Sequence, residues 1–132
     1  MANFNSLEEA REFFYKDKFA VETGVTLDEL TEDKAICSLE ITDIHKNAYG
    51  GVMGGVIFTL SDFAFAVLSN QLHQPTVAQQ VSINYLSAPK GNKLTAEAYC
   101  RKNGRTSSII IVDVSDDVGR DVAQFVGTGF KL

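Results

Sequence analysis

Apolar and polar residues alternate along most of this chain, and in one long stretch the period changes. Residues 34–42, KAICSLEIT, put Ala35, Cys37, Leu39 and Ile41 on one side and Ser38, Glu40 and Thr42 on the other, which predicts a half-buried strand. Residues 24–30 are a weaker strand candidate. Four further strand-like runs come later. In 76–85, Val77, Val81, Ile83 and Tyr85 share a face, and in 93–102, Leu94, Ala96, Ala98 and Cys100 do. The run 107–114 is apolar on both faces, which predicts a central strand, and 120–130 closes the chain. Ala88-Pro89-Lys90-Gly91-Asn92 breaks the first pair of these runs. Asn103-Gly104 signals a two-residue hairpin, and Asp116-Asp117-Val118-Gly119 a further turn. The last three strands, joined by short turns, are expected to form an antiparallel meander.

Between the early and the late strands the period becomes helical. Val56, Ile57, Phe58, Leu60, Phe63, Ala64, Phe65, Ala66, Val67 and Leu68 cover nearly the whole circumference of a helix over roughly 54–70. A helix apolar all round is a buried helix. Near the N-terminus, Ser6 and Glu9 read as a capping box, and Leu7, Ala10, Phe13 and Phe14 recur at helical spacing. The expected fold is α+β, in one domain over residues 1–132. A curved antiparallel sheet wraps around one long central helix, with a short helix before it.

Composition narrows the function classes. A net charge of −5 argues against nucleic acid as a partner, because duplex binding relies on Lys and Arg. Five of the twelve basic residues (Lys90, Lys93, Arg101, Lys102 and Arg105) nevertheless fall in one stretch that holds a single acid, Glu97. That stretch is either a solvated strand face or a small patch for a phosphate-bearing ligand. Cys37 and Cys100 are far apart and sit in strand-like alternation, so buried free thiols are expected rather than a disulfide or a metal site. The start, MANFNSLEEAREFF, has acids where a secretion signal has basic residues, and the apolar stretch from Gly54 to Leu68 is shorter than a membrane span and carries an acid. A cytoplasmic protein without a membrane partner is expected.

That acid is Asp62, in the middle of the oily helix. Burying an ionised carboxylate is costly without partners, and Asp is a mediocre residue in a helix interior. It reads either as a satisfied structural acid on a wet edge or subunit contact, or as a functional group. Gly54 and Gly55 stand where the helix starts, with backbone N–H groups that have no intrahelical acceptor. Such a terminus can hold an oxygen that becomes negative during a reaction. Asn47, seven residues earlier, brings an amide. The glycines tilt the reading towards a functional group, the lesser alternative being that they merely serve a tight turn and close helix–sheet packing. Gly54 and Asp62 are eight residues apart, about 12 Å along a helix rising about 1.5 Å per residue. A base and an oxyanion donor must both reach one carbonyl at roughly 3 Å. If the two share a reaction, they come from different chains, and a homodimer is the minimum. His45 and His73 show no metal-ligand spacing and read as loop or edge residues, and no G-x-S-x-G or Walker-type motif is present.

Asn47-Ala-Tyr-Gly50-Gly-Val-Met53-Gly54-Gly55, followed by Leu60-Ser61-Asp62-Phe-Ala64, resembles the hotdog-fold acyl-CoA thioesterases of the PaaI-like and 4-hydroxybenzoyl-CoA thioesterase group. VSINYLSAP, with Tyr85 near a strand end, is similar to the family's strand after the helix, and the likeness covers roughly 24–130. The resemblance implies catalytic roles for Asp62 as general base or nucleophile, for the Gly54 N–H in polarising the carbonyl, and for Asn47 in positioning thioester or water. It implies an acyl-CoA substrate, neither cofactor nor metal, and sites at the interfaces of a homodimer or of a homotetramer built as a dimer of dimers. Met53 and Gly55 are then expected beside the substrate, with Lys90, Arg101 and Arg105 near coenzyme A phosphates. Two positions depart from the pattern. Met53 stands where these enzymes usually carry His, and Ala78 where a related type has a water-positioning hydroxyl, a part that Thr76 could take instead. Phe58, Phe63 and Phe65 suit an aromatic or medium-chain acyl group. A non-catalytic acyl-CoA binding module is the alternative reading, which Met53 supports, and hydratase chemistry would want a His beside the acid.

Overall fold

Ser6 begins the first helix by accepting the Glu9 N–H on its hydroxyl at 3.1 Å. In this computed structural model, residues 3–132 are described; Met1 and Ala2, part of the expected domain, lie outside the described residues. The capping box is only half made, because the Glu9 carboxylate reaches back to the Asn5 N–H rather than to that of Ser6. Helix α1 (Leu7–Phe14) buries Ala10 and Phe14. A second helix that the pattern did not announce, α2 (Lys18–Thr23), follows at once and ends on Gly24, whose φ of 111° is the left-handed conformation of a helix stop.

The strands are β1 (Thr26–Leu30), β2 (Lys34–Glu40), β3 (Thr76–Tyr85), β4 (Lys93–Asn103), β5 (Ser107–Asp116) and β6 (Asp121–Lys131). They form one six-stranded antiparallel sheet in the order β1-β2-β4-β5-β6-β3. The meander β4-β5-β6 is present, and β5, apolar on both faces, lies inside it as expected. Helix α3 (Gly54–Leu72) packs across the concave face. It is two residues longer than the apolar pattern indicated, and by length and composition alone it could cross a membrane. Here it is the core helix instead. Its fully buried Leu60, Ala64, Val67 and Leu68 meet Ala35 and Cys37 of β2, Leu94, Ala96 and Ala98 of β4, Ile110 and Val112 of β5 and Phe125 of β6. The small residues let the helix approach closely. At Gly127 of β6 an added Cβ would lie 2.7 Å from the Phe65 ring, and at Gly129 it would lie 2.7 Å from Thr76 Cγ2.

Three local expectations are corrected. Val77 does not share a face with Val81, Ile83 and Tyr85: a β-bulge between Ala78 and Gln80 inserts one residue and reverses the side-chain phase. Val77 is accordingly 47% exposed, beside its β6 partner Phe130. Asn103-Gly104 is not a two-residue hairpin. Asn103 stays in β4, Gly104 lacks a positive φ, and 104–106 form the connection. The Lys131 ammonium holds it by donating to Asn103 Oδ1 and to the Gly104 carbonyl, each at 2.5 Å. Cys37 is buried but Cys100, near the end of β4, is only half-buried; both thiols are free. His45 ends a single 3-10 turn (Asp43–His45) in the connection after β2, away from any strand as expected, and is only 3% exposed.

Candidate functional site

Two of the cavities that α3 borders hold the candidate residues, one at its N-terminus and one at its middle. The first is built on the loop before the helix. Asn47 closes that loop on itself: its Oδ1 accepts the N–H groups of Tyr49 at 2.9 Å and Gly51 at 3.1 Å, while Gly50 takes a φ of 84°. Those bonds identify the oxygen end of the amide, so the Nδ2 end is the donor still open. His45 suspends the loop. Its Nδ1 accepts the Thr42 N–H at 2.9 Å, so the proton is on Nε2, which donates to the Thr23 carbonyl at 2.6 Å. Its own carbonyl accepts the Met53 N–H at 2.8 Å, which sets the residue that begins α3. This buried imidazole is positioned to support the loop rather than to react.

At the helix start, the Val56 N–H turns back to the Met53 carbonyl at 3.0 Å, leaving the N–H groups of Gly54 and Gly55 as terminal donors. The Tyr85 hydroxyl donates to the Gly54 carbonyl at 3.0 Å, and an added Cβ on Gly54 would come within 3.2 Å of that ring. Gly54 therefore has a packing reason to be glycine as well as a chemical one. Met53 is 54% exposed, and its methyl carbon lies over Gly55. Asn47, Gly54, Ile57, Tyr85, Leu86 and Pro89 are among the residues lining a cavity of about 340 Å³.

Its far wall is firmly tied down. The Leu86 N–H donates to the Val122 carbonyl at 2.8 Å, and Arg120 Nε to the Ala88 carbonyl at 3.0 Å. The Asp116 carboxylate accepts N–H groups from Lys90, Gly91, Val118 and Arg120 at 2.7–3.1 Å. Burial pushes this carboxyl up, but the four backbone donors outweigh burial and hold it at about 2.

Asp62 faces the second cavity, of about 380 Å³, with Asp17, Lys18, Phe19, Phe58, Thr59 and Phe63 in its lining. The carboxyl is half-buried and held above the usual carboxylate range, first by burial and then by the charge of Asp17. Of the three phenylalanines singled out, Phe58 and Phe63 border this space, whereas Phe65 is buried against Phe125 at a ring separation of 5.9 Å. Asp62 and the Asn47–Gly54 pair thus open onto different cavities of one chain, about 12 Å apart along the helix.

The other expected contacts are scattered. Thr76 is buried at the head of β3, where its hydroxyl donates to the His73 carbonyl at 2.5 Å, and it lines neither cavity. Ala78 is exposed on the same strand. Lys90 follows Pro89 at the rim of the first cavity, whereas Arg101 lies towards the far end of β4, whose eleven residues span about 33 Å, and Arg105 in the connection beyond it. The basic stretch is therefore not one patch within a chain. Among the described residues no group of three or more His, Cys, Asp or Glu is gathered as for a metal ion. Sequence reasoning missed two residues. His45 carried no signal of its burial, and Asp17 stood out by nothing in the pattern, because the short helix that it precedes was not announced either.

Residues 49–123 match the Thioesterase superfamily. A putative esterase of Archaeoglobus fulgidus is 30% identical over 128 residues, covering 96% of this chain and 83% of that protein. The acyl-coenzyme A thioesterase PaaI of Escherichia coli (strain K12) is 25% identical over 126 residues, covering 95% of this chain and 90% of PaaI. The structure of E. coli PaaI superposes with a TM-score of 0.88 over 93% of this chain and 90% of that one. A hypothetical thioesterase of Streptococcus pneumoniae TIGR4, solved with coenzyme A, gives a TM-score of 0.81 at 27% identity over 89% of this chain and 94% of that one.

Proposed function

The chain belongs to the thioesterase superfamily and is a hotdog-fold thioester hydrolase, and we propose that it hydrolyses aryl- or medium-chain acyl-CoA at a site shared between two subunits. The observation that carries this reading is the division of the candidate residues between two cavities on one helix. Two copies of α3 packed antiparallel about a two-fold axis would bring Asp62 of each to the Gly54 end of the other. Strand β3, at the sheet edge with Val77, Tyr85 and the following Leu86 exposed, is a surface suited to such a partner.

In the composite site, Asp62 takes a proton from water and the resulting hydroxide adds to the thioester carbonyl. The negative oxygen accepts the Gly54 N–H of the facing subunit, while Asn47 Nδ2 positions the carbonyl or the water. The C–S bond then breaks, and the coenzyme A thiolate takes the proton from Asp62, leaving the free acid. Met53 offers neither a donor nor a base, so polar positioning falls to Asn47. Phe58 and Phe63 beside Asp62 support the acyl preference, and Lys90 at the rim suits a phosphate. Arg101 and Arg105 would serve the same coenzyme only from a neighbouring subunit, as in a dimer of dimers.

Mixed oligomers test the division. Asn47→Asp keeps the oxygen that closes the loop but loses the Nδ2 donor, and Asp62→Asn removes the base. Each variant alone is expected to release little thiol from an acyl-CoA panel. Refolded together in equal amounts, they should recover about a quarter of wild-type activity, since half the dimers are mixed and each holds one intact site. No recovery would mean that both residues act within one chain. Tight acyl-CoA binding by the wild type without thiol release would favour the binding-module alternative.

A further inference from the structure

Asp17 occupies a capping position without capping. Its N–H donates to the Phe14 carbonyl at 2.9 Å and its carbonyl accepts the Val21 N–H at 3.0 Å, so its backbone sits at the N-cap of α2. An Asp there ordinarily accepts an N–H from the first helical turn. This one makes no such bond, and Asp17 lines the cavity that Asp62 faces.

The segment over Asp62 brings two charged residues to the cavity, Asp17 and Lys18, and α3 adds none besides Asp62 itself. Lys18 does not neutralise the acids. Its ammonium lies 3.5 Å from the centroid of the Tyr15 ring, and among the described residues neither Asp17 nor Asp62 has an ion pair or a side-chain hydrogen bond. Two carboxylates thus share a partly dehydrated space with no cation paired to either, and there like charges repel more strongly than in open water.

We infer that Asp17 is a positioning residue for the reaction at Asp62: its negative charge repels the ionised form of Asp62 and so raises the pH at which hydrolysis begins. The raised proton affinity of both carboxyls agrees, burial being the first cause at each and the Asp17 charge the second cause at Asp62. A base whose pKa lies closer to the working pH takes a proton from water more readily, at the expense of activity at low pH. The inference rests on Asp62 being the catalytic base.

The test is the pH profile of kcat/KM for the assembled enzyme on one hydrolysed acyl-CoA, wild type beside Asp17→Asn and Asp17→Glu. The neutral amide is expected to move the acid limb to lower pH, raising turnover several-fold below the wild-type limb, with at most a modest fall at the plateau. Glu, which restores the charge, should return the limb towards its wild-type position. A limb that stays in place with Asn overturns the inference, even if the plateau falls. If Asp17→Asn does not fold, Asp17→Ser, equally uncharged, decides: a limb that moves to lower pH supports the inference and an unmoved limb overturns it. Turnover that survives Asp62→Asn would overturn the parent reading instead, which keeps the two failures apart.

Discussion

Asp62 carries a folding penalty along with its proposed chemistry. Burial, with the Asp17 charge added, holds its native pKa above the unfolded value of about 3.9. The native chain therefore binds more protons than the unfolded chain between those two values, and stability falls as pH rises through that window. Asp62→Asn lacks this loss. Thermal unfolding should show the variant melting higher than wild type at pH 7, with the gap closing below the unfolded carboxylate pKa. Thiol release by the same variant should fall by roughly 100- to 10,000-fold, the scale of losing a general base. A variant that melts lower at neutral pH would mean that Asp62 is a satisfied structural acid, the alternative left open by its position on the helix. Asp116 shows the contrasting case: buried as well, but gripped by four N–H donors, it is low and purely structural.

Helix α3 and strand β6 are matched by volume. Gly127 and Gly129 leave room on the core face of β6 for Phe65, which is 2% exposed and packs against Phe125. Gly127→Val would drive a branched side chain into that ring, and overpacking of this kind costs about 1–3 kcal/mol. Urea denaturation should show a lower midpoint at an unchanged slope. A variant as stable as wild type would mean that the helix can lift from the sheet without penalty. The same close approach fixes where both ends of α3 lie, so strain here is expected to reach the loop held by Asn47. Strand β3 shows what pattern alone misses. Its alternation is real but switches phase at the bulge, which moves Val77 to the outer face, and a bulge leaves no mark in a run of mixed polar and apolar residues.

On the proposed shared site, a single chain presents half-sites and activity belongs to the assembly. Specific activity measured over a dilution series should fall in step with the oligomer fraction seen by sedimentation, and a fully active monomer would contradict the shared site. Much of this architecture was legible beforehand. The period-2 runs, the all-round apolar helix and the glycine pair ahead of it reflect local rules, in which each side chain's fate follows from its neighbours in sequence. Hence the meander, the central β5, the buried α3 and the Asn47–Gly54–Asp62 pattern could be read from the residues. The burial of His45 and the connection gripped by Lys131 could not, since their partners lie elsewhere in the chain. Nor could the separation of Lys90 from Arg101 and Arg105, which are near in sequence but lie towards opposite ends of an extended strand. Asp17 belongs with these. Helical rules make it a cap, and only the packing of α2 over the middle of α3 turns it towards a second acid some forty-five residues away. Local periodicity selects elements and their buried faces, whereas electrostatic neighbours are chosen by how those elements meet.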